Sequence, residues 1–311
     1  MKLIYCFIVG LACVCLLAGC GGGSGTGGNG PTTHIFVADS ANNRIVQMDD
    51  MSGTNWRTFG RAGSGSEELN QPTDVVFDSS GRIYIADLAN NRIVRINDVS
   101  GSGWTTFGTA GTGVGQFEGP ARIAIDRDDR IYVTDNRNDR IVRFDDMSGT
   151  NWVSFGSTGT GVDEFSSPVG IAVDSNFRVY VTDLNNHRVV TIDDMTGTNW
   201  TSFGTEGTGI GEFENPEDIA LDGNGQMLVS DQSGRVIQTG VMSVTGWAEY
   251  STGHAESADF WNGQIYIVDQ STDIVTRIDS IAGTNPVTFG SPGAGIDEFN
   301  TPLSIHLHTF N

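Results

Sequence analysis

The sequence predicts an all-β protein, a six-bladed β-propeller of four-stranded antiparallel blades. Three observations carry this. The stretch from Ile131 to Phe155, IYVTDNRNDRIVRFDDMSGTNWVSF, recurs with its leading aspartate at Asp39, Asp87, Asp135, Asp183, Asp231 and Asp269, at spacings of 48, 48, 48, 48 and 38 residues. Each period holds short runs of β-branched and aromatic residues closed by polar turn residues, and no helical period is present. The ends of the array are complementary. His34–Asp39 reads as a second strand with no first, and Pro302–His308 as a first strand with no successor. Paired, they complete one blade from both termini and close the ring without an open edge.

The chain begins with MKLIYCFIVGLACVCLLAGC. Its apolar run, Leu3–Leu17, is too short for a spanning helix and reads as a secretory signal. Leu17-Ala18-Gly19-Cys20 resembles the bacterial lipobox, which implies cleavage after residue 19 and acylation of Cys20. All four cysteines lie in this leader, so no disulfide or thiolate metal site is expected in the domain. Gly21 follows where an aspartate would signal inner-membrane retention, so the resemblance implies a lipid-anchored protein of the cell envelope, at the outer membrane. Residues 20–33 then form a Gly-rich tether, and 34–311 the propeller.

Within the third repeat the strands are ARIAIDR, RIYVTD, RIVRFD and NWVSFG. The first is mostly apolar, as suits an inner strand covered on both faces. The segments Pro168-Val-Gly-Ile-Ala-Val-Asp174, Val179-Tyr-Val-Thr-Asp183 and Asn186-His-Arg-Val-Val190 resemble the NHL repeat. That resemblance extends over the chain from residue 34. It implies a six-bladed propeller acting as a binding platform on the face bearing the loops after the second and fourth strands. Related six-bladed propellers include gluconolactonase-like hydrolases and a peptide-amidating lyase. Neither ligand set transfers residue by residue onto this sequence.

The formal charge is −21, and the only lysine is Lys2. Such an excess repels nucleic acid and favours cationic ligands or basic proteins. Residues recurring in every blade should serve the blade. Arg44, Arg92, Arg140, Arg188 and Arg235 are expected in bidentate pairs with the blade aspartates, and Trp56, Trp104, Trp152, Trp200 and Trp247 in packing. The DDMSGTN loops offer oxygens to a hard cation such as calcium but lack EF-hand spacing, and suit a tight polar turn as well.

Unrepeated residues are the candidates for a ligand. Asp74, Arg122, Gly170, Asp218, Glu256 and Ser304 align at the start of the first strands. They are expected to ring one mouth of the central channel, with Asp74, Arg122, Asp218 and Glu256 as ligand-binding residues. The junction before the last blade is shortened, GTEGTGIGEFENP having only STGH as its counterpart, which should leave a notch. Beside it, His254, Glu256, Asp259 and His306 could hold a divalent metal, while drift of a degenerate blade would give the same pattern. No GxSxG, HExxH or phosphate-loop motif is present. The function expected is therefore that of a non-catalytic, monomeric envelope lipoprotein whose propeller face binds a protein, peptide or other ligand without a cofactor. The alternative is a metal-dependent hydrolase or lyase of the gluconolactonase-like type.

Overall fold

The computed structural model describes residues 32–310. The signal segment, Cys20 and most of the tether lie outside the described residues. Strand pairing begins at Thr32, two residues ahead of the expected boundary at His34.

Six four-stranded antiparallel sheets make the ring, and we number the blades 1 to 6 in chain order. Blade 1 takes Thr32–Asp39, Arg44–Met48 and Arg57–Phe59 from the N-terminus and its inner strand, Pro302–Phe310, from the C-terminus. The register runs from Thr32 opposite Phe310 to Asp39 opposite Pro302, so the expected closure is present. The inner strands of blades 2 to 6 are Pro72–Phe77, Pro120–Ile125, Pro168–Val173, Pro216–Leu221 and Ala255–Trp261. An opening proline is tolerated because an inner strand pairs on one side only, and the ladder loses no bond there.

Apolar residues of adjacent blades interlock. Tyr84, Ala86 and Ile93 of blade 2 share one cluster with Ile131, Val133 and Val142 of blade 3, plugged by the fully buried Phe117. Phe165, Phe213 and Phe299 fill equivalent places. Each such side chain contributes roughly 1.5–3 kcal/mol on burial, and the sum holds the wedge-like sheets edge to edge.

The recurrent arginines bind differently from the expected bidentate pairs. In blades 1 to 4 only Nε meets the carboxylate, at 2.7–2.8 Å. The guanidinium's outer nitrogens instead donate to carbonyls of the preceding crossing loop, as Arg140 does to Thr112 and Gln116. The other carboxylate oxygen accepts the amide of the incoming chain, as Asp135 does from Glu118. Each pair therefore ties a blade to the loop that delivers it. In blade 5, Arg235 Nη2 holds Asp231 while its Nε donates to Ser233. The tryptophans pack on the same arginines, with guanidinium carbons 5.4–6.0 Å from the rings in blades 1 to 4.

The DDMSGTN loops make most of their polar contacts internally, with Asp49 also bonded to His34 Nδ1 at 2.6 Å. Asp50 accepts the amide and hydroxyl of Ser52, and Asp49 accepts the Asn55 amide, in a tight polar turn.

Candidate functional site

The pseudo-sixfold ring fixes which residues share a level in the channel. Each inner strand starts at the end where the blade aspartate sits, since Pro72, Pro120, Pro168 and Pro216 face Asp87, Asp135, Asp183 and Asp231. A register shift follows at once, and in blades 2 and 5 Asp74 and Asp218 then face Ala86 and Ser230. In blade 6, Ala255 faces Asp269 and Ser257 faces Val268. Ser257, not Glu256, is thus the equivalent of Asp218, and Glu256 is level with Glu217. The sequence alignment is one residue out at this strand, because Ala255 replaces the proline that marks the other starts.

The expected ring of residues lies inside the channel rather than on a solvated mouth. Asp74, Arg122 and Asp218 are 1%, 3% and 9% exposed, and Ser304 is fully buried. Gly170 completes the level, where a Cβ would lie 2.8 Å from Asp218 Cα, so only glycine lets the strands close up. Arg122 crosses the channel as a bar. Its Nη1 donates to the Thr73 carbonyl and its Nη2 to the Leu303 carbonyl at 2.7 Å. Its Nε lies 3.6 Å from Asp218 and its Nη2 3.7 Å from Glu256. Burial alone would lower the guanidinium's pKa, but Asp218, Asp74, Glu256 and Glu217 together raise it. Burial raises Asp218, with Arg122 pulling the other way.

The four expected metal ligands do not converge. They form two groups on opposite sides of the Arg122 bar. Towards the starting end, His254 Nε2 lies 3.6 Å from Glu217 Oε2 and 3.7 Å from Glu256 Oε2. Burial and the facing Glu217 carboxyl push Glu256 well above the usual carboxylate range. Glu217 is the member that sequence reading missed. The position after the opening proline carries Thr73, Ala121, Val169 and Leu303 in other blades, so a glutamate there was itself a signal.

Towards the other end, His306 Nδ1 lies 3.4 Å from Asp259 and its Nε2 3.7 Å from Asp74. This pair faces a cavity of about 310 Å³ whose lining includes Val76, Ala124, Ala172 and Ala220, at the same level of their strands. Desolvation alone would depress the imidazole, but the Asp259 hydrogen bond and the charges of Asp259, Asp74 and Asp218 outweigh it and lift its pKa to about 9. His306 is thereby held between two carboxylates beside aliphatic side chains of the neighbouring inner strands.

The expected shortening of the junction is present. Only Thr252, Gly253 and His254 join the outer strand Ala248–Ser251 to the inner strand of blade 6, against Gly204–Asn215 at the preceding junction. The short connection leaves the His254 side chain 30% exposed.

Comparison with known proteins agrees with this architecture. The NHL repeat matches residues 69–96, 117–144 and 165–192, so the chain carries NHL repeats. Residues 207–239 match the N-terminal part of strictosidine synthase-like proteins. No curated protein matches the chain in sequence. Among solved structures, a nidogen/laminin complex contains a similar chain, with a TM-score of 0.69 and 20% identity over 88% of this chain and 98% of that one. A streptogramin B lyase gives 0.59 at 15% identity, over 89% and 90%. A catalytically inactive virginiamycin B lyase from Staphylococcus aureus with quinupristin gives 0.54 at 18%, over 75% and 73%. At these identities the likeness shows the fold, and that fold serves both binding proteins and enzymes.

Proposed function

We propose that this chain is a binding propeller of the cell envelope, whose face at the starting end of the inner strands takes a protein or peptide bearing both apolar and cationic groups. One observation carries the reading. Val114, Val162, Ile210 and Ile296 occupy equivalent tips of four crossing loops and stand 79%, 68%, 72% and 74% exposed. Single exposed aliphatics are ordinary, but the same exposure repeated around one face is an interrupted ring of apolar contact points. The charge pattern supports a cationic partner. The blade arginines are committed to aspartates and loop carbonyls, whereas Glu118, Asp163, Glu214 and Asp297 on the same loops stay exposed. A chain similar in fold occurs in a complex of two proteins, nidogen and laminin. A lipid on Cys20 would hold the monomeric domain at the outer membrane.

Replacing the four aliphatics by serine tests the reading. The variant should keep its melting temperature, since surface changes usually stay within about 0.5 kcal/mol, and should lose the partner that the unaltered chain captures from envelope extract. Unchanged capture, or no capture by either protein, would refute it. For the anchor, Cys20→Ser should move the protein from the membrane to the soluble fraction.

A second reading, a metal-dependent hydrolase or lyase, is favoured by the convergence of His254 with two buried carboxylates beside the shortened junction. Absence of turnover with lactone and ester substrates, metal supplied, would remove it.

A further inference from the structure

The end of the channel above Arg122 holds polar atoms that the protein itself leaves unused. Glu217 Oε2 and His254 Nε2 are both shut off from solvent and have no hydrogen-bond partner. The Glu217 side chain is only 7% exposed. A buried carboxylate oxygen and a buried imidazole nitrogen without partners are each destabilising unless something else satisfies them. At 3.6 and 3.7 Å His254 Nε2 is too far from either carboxylate for a direct hydrogen bond.

From this geometry we infer that Glu217, His254 and Glu256 hold one divalent cation of the transition type, zinc or manganese, through Glu217 Oε2, His254 Nε2 and Glu256 Oε2. These atoms all lie within 4.8 Å of one another. Metal–ligand bonds of about 2.0–2.2 Å in a tetrahedral site put neighbouring ligand atoms roughly 3.3–3.6 Å apart. The two separations from His254 Nε2, 3.6 and 3.7 Å, need at most a few tenths of an ångström of closure.

Each ligand is already aimed. Gln232 Nε2 donates to Glu217 Oε1, which turns Oε2 towards His254. Arg122 lies 3.7 Å from Glu256 Oε1 and leaves Oε2 on the His254 side. The Gln270 amide donates to the His254 carbonyl at 3.1 Å and fixes the backbone of the third ligand. Outer partners of this kind orient ligands and raise affinity. Two carboxylates and a dication are neutral together, so Arg122 stays balanced by Asp218. The imidazole selects zinc or manganese over calcium and magnesium, which prefer all-oxygen sites. Three protein ligands leave a coordination position open, and the three-residue connection Thr252–His254 leaves His254 partly exposed as the route in.

The site lies at the same end of the channel as the proposed binding face but shares no residue with its four exposed aliphatics, and that face needs no metal. Only the hydrolase or lyase reading rests on the same three residues. The metal site is tested by calorimetry and thermal melting of the purified, metal-stripped full chain with zinc, manganese, calcium or magnesium chloride. One equivalent of zinc or manganese should bind and raise the melting temperature. His254→Ala should weaken binding at least tenfold, as should Glu217→Gln, whereas His306→Ala should leave it unchanged. The proposal falls if neither zinc nor manganese binds saturably, if calcium binds more tightly than both, or if His254→Ala binds as the unaltered chain does. Should Glu217→Gln fail to fold, His254→Gln provides the second variant, because the His254 side chain is partly exposed.

Discussion

Arg122 and Leu303 are 181 residues apart in sequence, yet the guanidinium Nη2 donates to the Leu303 carbonyl at 2.7 Å across the centre of the ring. The same side chain donates to Thr73 and lies against Asp218 and Glu256, so one arginine links four inner strands to its own. Removing it strands buried carboxylates without a counter-charge. Breaking one partner from such an arrangement costs about 3–5 kcal/mol. Arg122→Met should therefore lower stability by that order at neutral pH, read by urea unfolding. The deficit should shrink in acid, where the carboxylates take up protons. A loss below about 1 kcal/mol would mean that the bar is not holding the strands.

Ring closure makes a second prediction. Thr33 and Thr309 face each other in the closing sheet with hydroxyls 2.7 Å apart. Cysteines at both positions should form a disulfide on oxidation, seen as faster migration on a non-reducing gel. Loop-closure arguments put the upper limit of its stabilisation on the order of 5 kcal/mol for so long a loop. The melting temperature should rise on oxidation and fall back with reductant. Failure to cross-link would separate the two termini and undo the shared blade.

The ring was legible in the sequence because a propeller repeats its scaffold, and the 48-residue period carries the scaffold's own residues. The aspartate equivalent to Asp135 recurs in all six blades, and Arg140, Trp152 and Phe165 have counterparts in most of them, so the scaffold announces itself. The channel was less legible because its residues are unrepeated and their level depends on a register shift. In blades 2 to 5 a proline marks that shift, and in blade 6 Ala255 does not, so matching acid to acid set Glu256 level with Asp218. His254 and Glu256 were correctly placed near one another, yet Asp259 and His306 belong to the far side of Arg122. The periodicity of a strand gives the side a residue faces, but not how deep in a pore it sits.

The blade aspartates give a third prediction. Asp135 is fully buried and accepts bonds from Arg140, Asn138 and the Glu118 amide. Asp135→Ala should cost about 3–5 kcal/mol by stranding the guanidinium and the loop amide. Asp50→Ala, removing an exposed carboxylate that bonds only to Ser52 and Thr54 of its own turn, should cost under about 1 kcal/mol. Urea unfolding of the two variants side by side measures the contrast. Equal losses would show that the Asp–Arg pair is no more than a surface turn.

The last prediction concerns pH. His306 has a folded pKa raised to about 9 by Asp259, Asp74 and Asp218 against the opposing effect of burial, whereas the unfolded value is about 6.5. Folding therefore binds a proton more tightly. The stability this contributes is fully present below about pH 6.5 and is lost as the pH rises through about 9. The unscreened figure is on the order of 3 kcal/mol, but the side chain is 35% exposed, and solvent screening reduces it to about 1 kcal/mol. Glu256 acts in the same direction, since burial and the Glu217 carboxyl raise its pKa and the folded state again binds a proton more tightly than the unfolded chain. Stability should fall from pH 6 to pH 9, and His306→Gln should flatten that slope while leaving the portion below pH 6 intact. Following the His306 ring protons by NMR gives the pKa directly, and Asp259→Asn should bring it down towards 7. A His306 that titrates near 6.5 in the folded protein would show that it is not held between those carboxylates.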